Sequence, residues 1–257
     1  LDAKSVADRH MVLHSIFKWA SAKTRRLVDH NPCTETQLPK RTRKPPKGLT
    51  VPEFQALHAA AGRVDPDAAD LILFLVSMAW RFSEATALAA RGIEDWGDEM
   101  YATVQRVHRR DERGAMTIVE DSAKSAAGLR RAKVPPMCAA MIRRRLVGKG
   151  VDELVFTNGQ GRQWYQTNFN NRLWPKILAE SGLERRPTPH WLKHTHVAFL
   201  VRTGQVTMPE IQRRAGHEDI QTTINVYGRS IDDASNDALA AFDAVAFGPP
   251  VVRGELG

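Results

Sequence analysis

The sequence predicts a mainly α chain carrying one small antiparallel β-sheet. Three observations point there. Apolar residues recur at helical spacing near the N-terminus and again from Pro136 onward. Three short runs between residues 101 and 135 alternate apolar and polar side chains instead. Turn-forming residues separate those runs, the pattern of a small antiparallel sheet.

Residues 4 to 23 read as the first helix. Val6, Leu13, Ile16, Phe17 and Ala20 fall near one face, with lysine and arginine on the rest. Asn31-Pro32 closes this region. From Pro39 to Gly48 the chain holds Lys40, Arg41, Arg43, Lys44 and Lys47, three prolines and no acid. Such a stretch cannot build a core and reads as an extended linker that can track a phosphate backbone; a solvated hinge is the plainer reading. Thr50-Val-Pro-Glu53 is a capping box and starts a second helix. Two apolar helices follow, around 67 to 80 and 83 to 90. The strand-like runs are Tyr101 to His108, Met116 to Val119 and Arg131 to Pro135. Beyond Pro136 the pattern is helical except for Leu154 to Thr157. Residues 231 to 245 read as a weakly amphipathic helix with Ile231, Leu239, Phe242 and Val245, and the tail after Phe247 as disordered.

The formal net charge of +8 over 257 residues calls for a polyanionic partner, nucleic acid before an acidic membrane surface. The two cysteines, Cys33 and Cys138, do not sit in a CxxC pair, so no zinc ribbon or redox motif is expected and a reducing cytoplasm is the default compartment. No apolar run has the length of a membrane helix, and no signal peptide is read.

Four separated segments carry the chemistry. They run Ala79-Trp-Arg81-Phe-Ser-Glu84, Asp121-Ser-Ala-Lys124 to Arg130-Arg131, Pro189-His190-Trp-Leu-Lys193-His194-Thr-His196, and Ala215-Gly216-His217 to Tyr227-Gly228. Cutting a phosphodiester needs a nucleophile, cationic cover for the charge gathering on the phosphate oxygens, and an acid for the departing 5′-oxygen. An unperturbed tyrosine has a pKa near 10, so about one in a thousand is ionised at pH 7; Tyr227 would need cations and a base beside it. His190 and Lys193 stand three apart on a helix and share a face. Arg81 and Lys124 would have to converge on the same phosphate. There is no acidic cluster of the kind that holds Mg²⁺ in nucleases and no glycine-rich phosphate loop, so no cofactor and no metal are expected. His190 and His194 have metal-like spacing, but Trp191 and Leu192 stand where a metalloprotease helix carries its glutamate.

In this order the four segments resemble the tyrosine recombinases, or phage integrases, over most of the chain from the first helix to Gly228. The resemblance implies a DNA breaking-rejoining catalytic domain at 49–248, a basic linker at 39–48, a partial helical core-binding domain at 1–38 and a tail at 249–257. The chain then looks like a fragment that begins inside the core-binding domain. It implies roles residue by residue. Arg81 with Glu84 matches the family's first arginine and its carboxylate, Lys124 the lysine between the last two strands, His190 the start of His-x-x-Arg, and Gly216-His217 the Gly-His pair. Tyr227 matches the nucleophile. Lys193 stands where the family usually has its second arginine, so a point charge replaces a planar fork. Ala79-Trp80 replaces the usual Gly-Leu, a packing change. The implied partners are double-stranded DNA core sites, a tetramer on DNA in which the 231–245 helix docks on a neighbour, and accessory DNA-bending or directionality proteins. The two domains would clamp DNA through the linker.

Two other functions compete. One is relaxation of supercoiled DNA with the same chemistry, as in a type IB topoisomerase. The other is a non-catalytic DNA binder built on a helix-turn-helix within Thr207 to His217, with Lys193 marking lost catalysis. Plainer readings stand beside several residues. His194 and His196 read as structural, and His217 as a helix-end histidine. Arg143 to Arg145, Arg185-Arg186 and Arg213-Arg214 read equally as solvated faces or phosphate contacts.

Overall fold

The computed structural model describes residues 2–40, 48–120 and 130–216. The chain divides into two compact units, Leu1–Pro45 and Pro46–Gly257.

In the first unit a single helix, α1 (Ala3–Ala20), opens on Asp2, whose carboxylate accepts from the Ser5 backbone N–H at 2.7 Å. After the helix the chain turns back along it. The Asn31 side chain donates to the His14 carbonyl at 3.1 Å and accepts from the Cys33 N–H, while His10 Nε2 donates to the Cys33 carbonyl. α1 buries none of its own residues, and Leu13 and Ile16, expected on a packing face, are exposed within this unit together with Met11, Val12 and Trp19.

The second unit opens on α2 (Val51–Val64). The capping box forms as expected: Glu53 N–H donates to Thr50 Oγ1 and Thr50 N–H donates to the Glu53 carboxylate at 2.7 Å. Thr50→Ala removes one of these bonds and is expected to cost about 1 kcal/mol, a fall of roughly 3 °C in melting temperature for a unit of this size, read by thermal denaturation. α3 (Pro66–Met78) follows at once. It is the most deeply buried helix, because Leu71, Ile72, Phe74, Leu75 and Val76 leave it no polar face over two turns. It ends at Ala79, held in the left-handed region at φ +55°, where a glycine would sit without strain. That bend turns Trp80 into the core, edge-on to Phe74 with ring centroids 5.2 Å apart, and starts the one-turn helix α4 (Phe82–Ala85).

The β-region differs from the single sheet expected. β1 (Ile93–Asp95), β2 (Met100–Thr103) and β5 (Arg131–Lys133) form a three-stranded antiparallel sheet in the order β1-β2-β5. β3 (Arg106–Arg110) and β4 (Met116–Glu120) form a separate two-stranded ribbon. The run from Tyr101 to His108 therefore breaks after Thr103. Its first half pairs with β5, which reaches Arg131 opposite Thr103, and its second half passes to β4 as partner. Asp111 closes the ribbon's turn by accepting from the Arg113 and Ala115 N–H groups.

The rest is helical: α5 (Pro136–Leu146), a short α6 (Gln166–Asn168) that runs through a π-helical turn at Phe169–Leu173 into α7 (Trp174–Ser181), α8 (Trp191–Thr203) and α9 (Met208–Ala215). The segment around Leu154 makes isolated bridges to Ala89 and, at Thr157, to Gln163, not a strand. Phe74, Phe82, Phe156, Trp164, Phe169 and Trp174 gather in one aromatic core with α2, α3 and α5. A smaller cluster of Ala79, Val197, Val201, Ile211 and Ala215 joins the end of α3 to α8 and α9. The unit is mainly α with small antiparallel sheets, the fold class the sequence predicts. Among the described residues no helix is long and apolar enough to cross a membrane.

Candidate active site

The smaller cluster matters because it packs α8 and α9 against the chain just before α4, and hydrogen bonds from Arg81 and Lys193 to the end of α9 add to it. Arg81, Lys193 and Gly216 lie there.

Arg81 precedes α4, and Glu84 is on that helix. The Glu84 carboxylate accepts from the Arg81 backbone N–H at 2.7 Å and from Arg81 Nη1 at 2.9 Å, so one acid both caps the helix and orients the guanidinium. The Arg81 side chain remains 51% exposed, while Glu84 is 5% exposed. Arg81 Nη2 also donates to the Gly216 carbonyl at 3.4 Å. A second guanidinium reaches the same carboxylate from below. Arg130 Nη1 donates to Glu84 Oε1 at 3.3 Å and Nη2 to Oε2 at 2.5 Å. Burial pushes the Glu84 carboxyl upward, but the charge and hydrogen bonds of Arg130 and the charge of Arg81 outweigh it. The group is held below its ordinary pKa.

Lys193 sits in the first turn of α8, one turn after His190 at the helix entrance. Its side chain turns inward. The ammonium donates to the Ala215 carbonyl at the end of α9, and the residue is 4% exposed. Burial first, then the positive charges of Arg81 and Arg130, lower its pKa to about 7, with Glu84 opposing. The unfolded chain keeps this proton up to the ordinary 10.5, the folded chain only to about 7. Between those values the unfolded state binds more protons, so stability rises with pH across the window, and the burial penalty is present in full below it. Lys193→Met is therefore expected to gain more stability relative to the unmodified chain at pH 6 than at pH 9. Denaturant unfolding of both proteins at the two pH values measures this, and an equal difference at both would refute it.

His190 is exposed and stands edge-on to His194, with ring centroids 4.9 Å apart. His196 faces backbone: it is buried, and Nδ1 donates to the Val76 carbonyl at 2.8 Å, tying α8 to α3. Burial lowers its pKa to about 4, so it stays neutral. Of the other expected site residues, Lys40 is exposed in the first unit. Arg41, Arg43, Lys44, Lys47, Lys124, His217 and Tyr227 lie outside the described residues, as does the 231–245 helix. The structure thus brings Arg81 and Lys193 together, beside the chain that leads directly into His217.

Six arginines of these runs form ion pairs. Arg143 pairs with Asp95, Arg144 with Asp70, Arg145 with Asp67 and Asp70, Arg185 with Glu53, and Arg213 and Arg214 with Glu210. Trp164 and Trp174 belong to the core, and Tyr165 is exposed. Arg130 is the member of the cluster that sequence reasoning passed over. It stands within the Lys124 segment, next to a second arginine, and nothing in its spacing marks it as buried.

Comparison with known proteins gives the family and the fold. The phage integrase family model matches residues 49–233. The tyrosine recombinase XerD of Halalkalibacterium halodurans is 25% identical over 221 residues, covering 84% of this chain and 68% of that protein. The integrase of Mycobacterium phage FRAT1 is 30% identical over 200 residues, covering 75% of this chain and 56% of that protein. A staphylococcal phage integrase is matched over 20% of its length, so the chain spans only part of the curated relatives it matches. Among solved structures, the Tn1549 transposon integrase in complex with transposon right-end DNA superposes with a TM-score of 0.76 at 19% identity, over 93% of this chain and 80% of that one. A λ integrase dimer bound to a core site gives 0.57 at 15% identity, over 90% and 60%. With the family model spanning most of its length and the fold shared with DNA-bound integrases, this chain belongs to the phage integrase family.

Proposed function

We propose that the chain performs site-specific DNA recombination by cutting and resealing strands through a 3′-phosphotyrosine. The observation that carries this reading is the meeting at the end of α9 of Arg81, held by the buried Glu84 carboxylate, and Lys193, held by the Ala215 carbonyl. Two cations fixed by protein contacts before substrate arrives cost no reorganisation when charge gathers on a phosphate, which is where such groups stabilise most. In this reading Arg81 and Lys193 cover the phosphate oxygens. Lys124 serves the departing 5′-oxygen, His190 and His217 assist proton movement, and the Tyr227 oxygen attacks phosphorus. The phosphate ester bond is conserved as a phosphotyrosine and returned when the free 5′-hydroxyl of a partner strand attacks it.

Lys193 differs from an arginine in kind. An arginine grips two oxygens with a planar fork; a buried ammonium on the Ala215 carbonyl offers one directed charge that an arriving phosphate dianion or diester would strengthen by favouring the protonated form. The basic residues Lys40, Arg41, Arg43, Lys44 and Lys47 supply backbone contacts that position the duplex without reading its sequence. Partners are double-stranded DNA core sites and further copies of this chain, four on DNA, with the 231–245 helix joining neighbours and accessory DNA-bending proteins setting direction.

The test uses a pool of nicked duplexes with randomised cores, incubated with the chain in EDTA and resolved under denaturing conditions. A denaturation-resistant protein–DNA band, with a shared core motif in the captured fraction, is the expected result. Salt-sensitive binding with no such band would overturn the reading in favour of a non-catalytic binder. Relaxation of any supercoiled plasmid without enrichment of a core motif would favour a topoisomerase.

A further inference from the structure

Arg130 has no role in the scheme above, yet it is the best-anchored cation of the cluster. Its side chain is 3% exposed. The guanidinium binds both oxygens of Glu84, the same two oxygens that hold Arg81. It also lies beneath the end of α9. A β-carbon on Gly216 would stand 2.6 Å from Arg130 Nη1 and 2.9 Å from its Cζ, closer than atoms pack. Its backbone carbonyl accepts from the Val104 N–H at 3.0 Å, fixing it to the end of the three-stranded sheet. Its Nε has no hydrogen-bond partner among the described residues, and Trp80 lies 5.6 Å from the guanidinium carbon. Arg130 also lies six residues after Lys124, in the same segment.

We propose that Arg130 is a positioning residue for strand cleavage: through Glu84 it sets the direction of Arg81, and through its contact under Gly216 it sets the end of α9 that leads into His217. The proposal rests on the recombinase reading. Buried behind Glu84, Arg130 acts through that carboxylate and through the backbone above it, without touching phosphate itself. Two guanidiniums on one carboxylate leave Glu84 little freedom, so Arg81 is aimed before DNA binds. With Arg130 gone, Glu84 keeps Arg81 as its partner and loses the largest influence opposing burial, so its carboxyl shifts upward; Lys193, whose charge Arg130 also disfavours, shifts upward with it, and both shifts make the loss smaller at high pH. A protonated Glu84 gives one of its oxygens to a proton and loosens its hold on Arg81.

That mechanism has a signature that simple loss of folding does not share. Arg130→Met keeps the length and the apolar stem but removes the charge. It is expected to slow formation of the covalent complex on captured nicked DNA about 100-fold at pH 6, and less, about 10-fold, at pH 8.5, with DNA affinity within 3-fold; a fold-loss of this size is what misplacement of a group produces. Arg130→Lys is expected to recover part of the rate, since it restores the charge without the second hydrogen bond. Melting curves of each variant give the folded fraction at the assay temperature, to which the rates are normalised. Cleavage by Arg130→Met at the unmodified rate, or a loss of equal size at both pH values after normalisation, would overturn the proposal and leave the recombinase reading standing. Absence of a covalent complex in the unmodified chain would overturn both.

Discussion

Tyr227→Phe is expected to abolish the covalent protein–DNA complex while leaving DNA binding intact. The substitution deletes one oxygen. If that oxygen is the nucleophile, no other group of the site can form the ester with phosphorus, and losing a covalent nucleophile costs on the order of 10⁶ in turnover where it has been measured. In the proposed reading affinity comes from the basic residues, which the substitution does not touch. The measurement pairs a denaturing gel with a binding isotherm at the same salt. A band that survives in the variant would move the nucleophile elsewhere and break the assignment of the last motif. Loss of both band and binding would mean that residue 227 serves the fold, and the chemistry would have to be sought again.

The largest expected effect on stability comes from Glu84→Ala. The carboxylate is the single anion among Arg81, Arg130 and Lys193 in the described cluster. Removing it leaves the Arg130 guanidinium buried without a counter-charge. Breaking a buried pair from one side costs roughly 3–5 kcal/mol, because the stranded charge keeps its desolvation penalty. For a unit of this size the melting temperature should fall by on the order of 10 °C. The double variant Glu84→Ala with Arg130→Met removes both charges and should recover a large part of that loss. Chemical denaturation of the single and double variants measures the coupling directly; costs that simply add would show that the two groups do not act as a pair.

How much of this was legible beforehand follows from what periodicity reports. Repeats of three to four residues register which face of a helix is apolar, and the capping box at Thr50 registers where one begins, so α2, α3 and α8 stand close to their expected places. Alternation registers strands but not which strand each will pair with. Tyr101 to His108 therefore read as one strand, although its halves belong to different sheets. The apolar stripe of α1 was legible as a stripe, while its exposure within the first unit was not, because a stripe does not name its cover. The same limit applies to the site. Spacing placed Lys193 one turn beyond His190, but the inward turn of its ammonium to Ala215 depends on where α9 ends in space. Arg130 shows the limit most plainly: arginines are seldom buried, and only the placement of Glu84 by another helix makes this one an exception.

Gly216 carries a consequence for how this chain can change over generations. The guanidinium of Arg130 fills the volume that any β-carbon at 216 would take, and the backbone there has φ +59°. A side chain at 216 would therefore have to push the Arg130 guanidinium aside, away from the Glu84 carboxylate that holds it, and would be strained by the backbone as well. Shortening residue 130 first would open the space but leave Glu84 with Arg81 alone of its two guanidiniums. Each step alone carries a cost that the other changes, so the two positions, 86 residues apart in sequence, are coupled: lineages that lose the glycine should more often have lost the arginine as well.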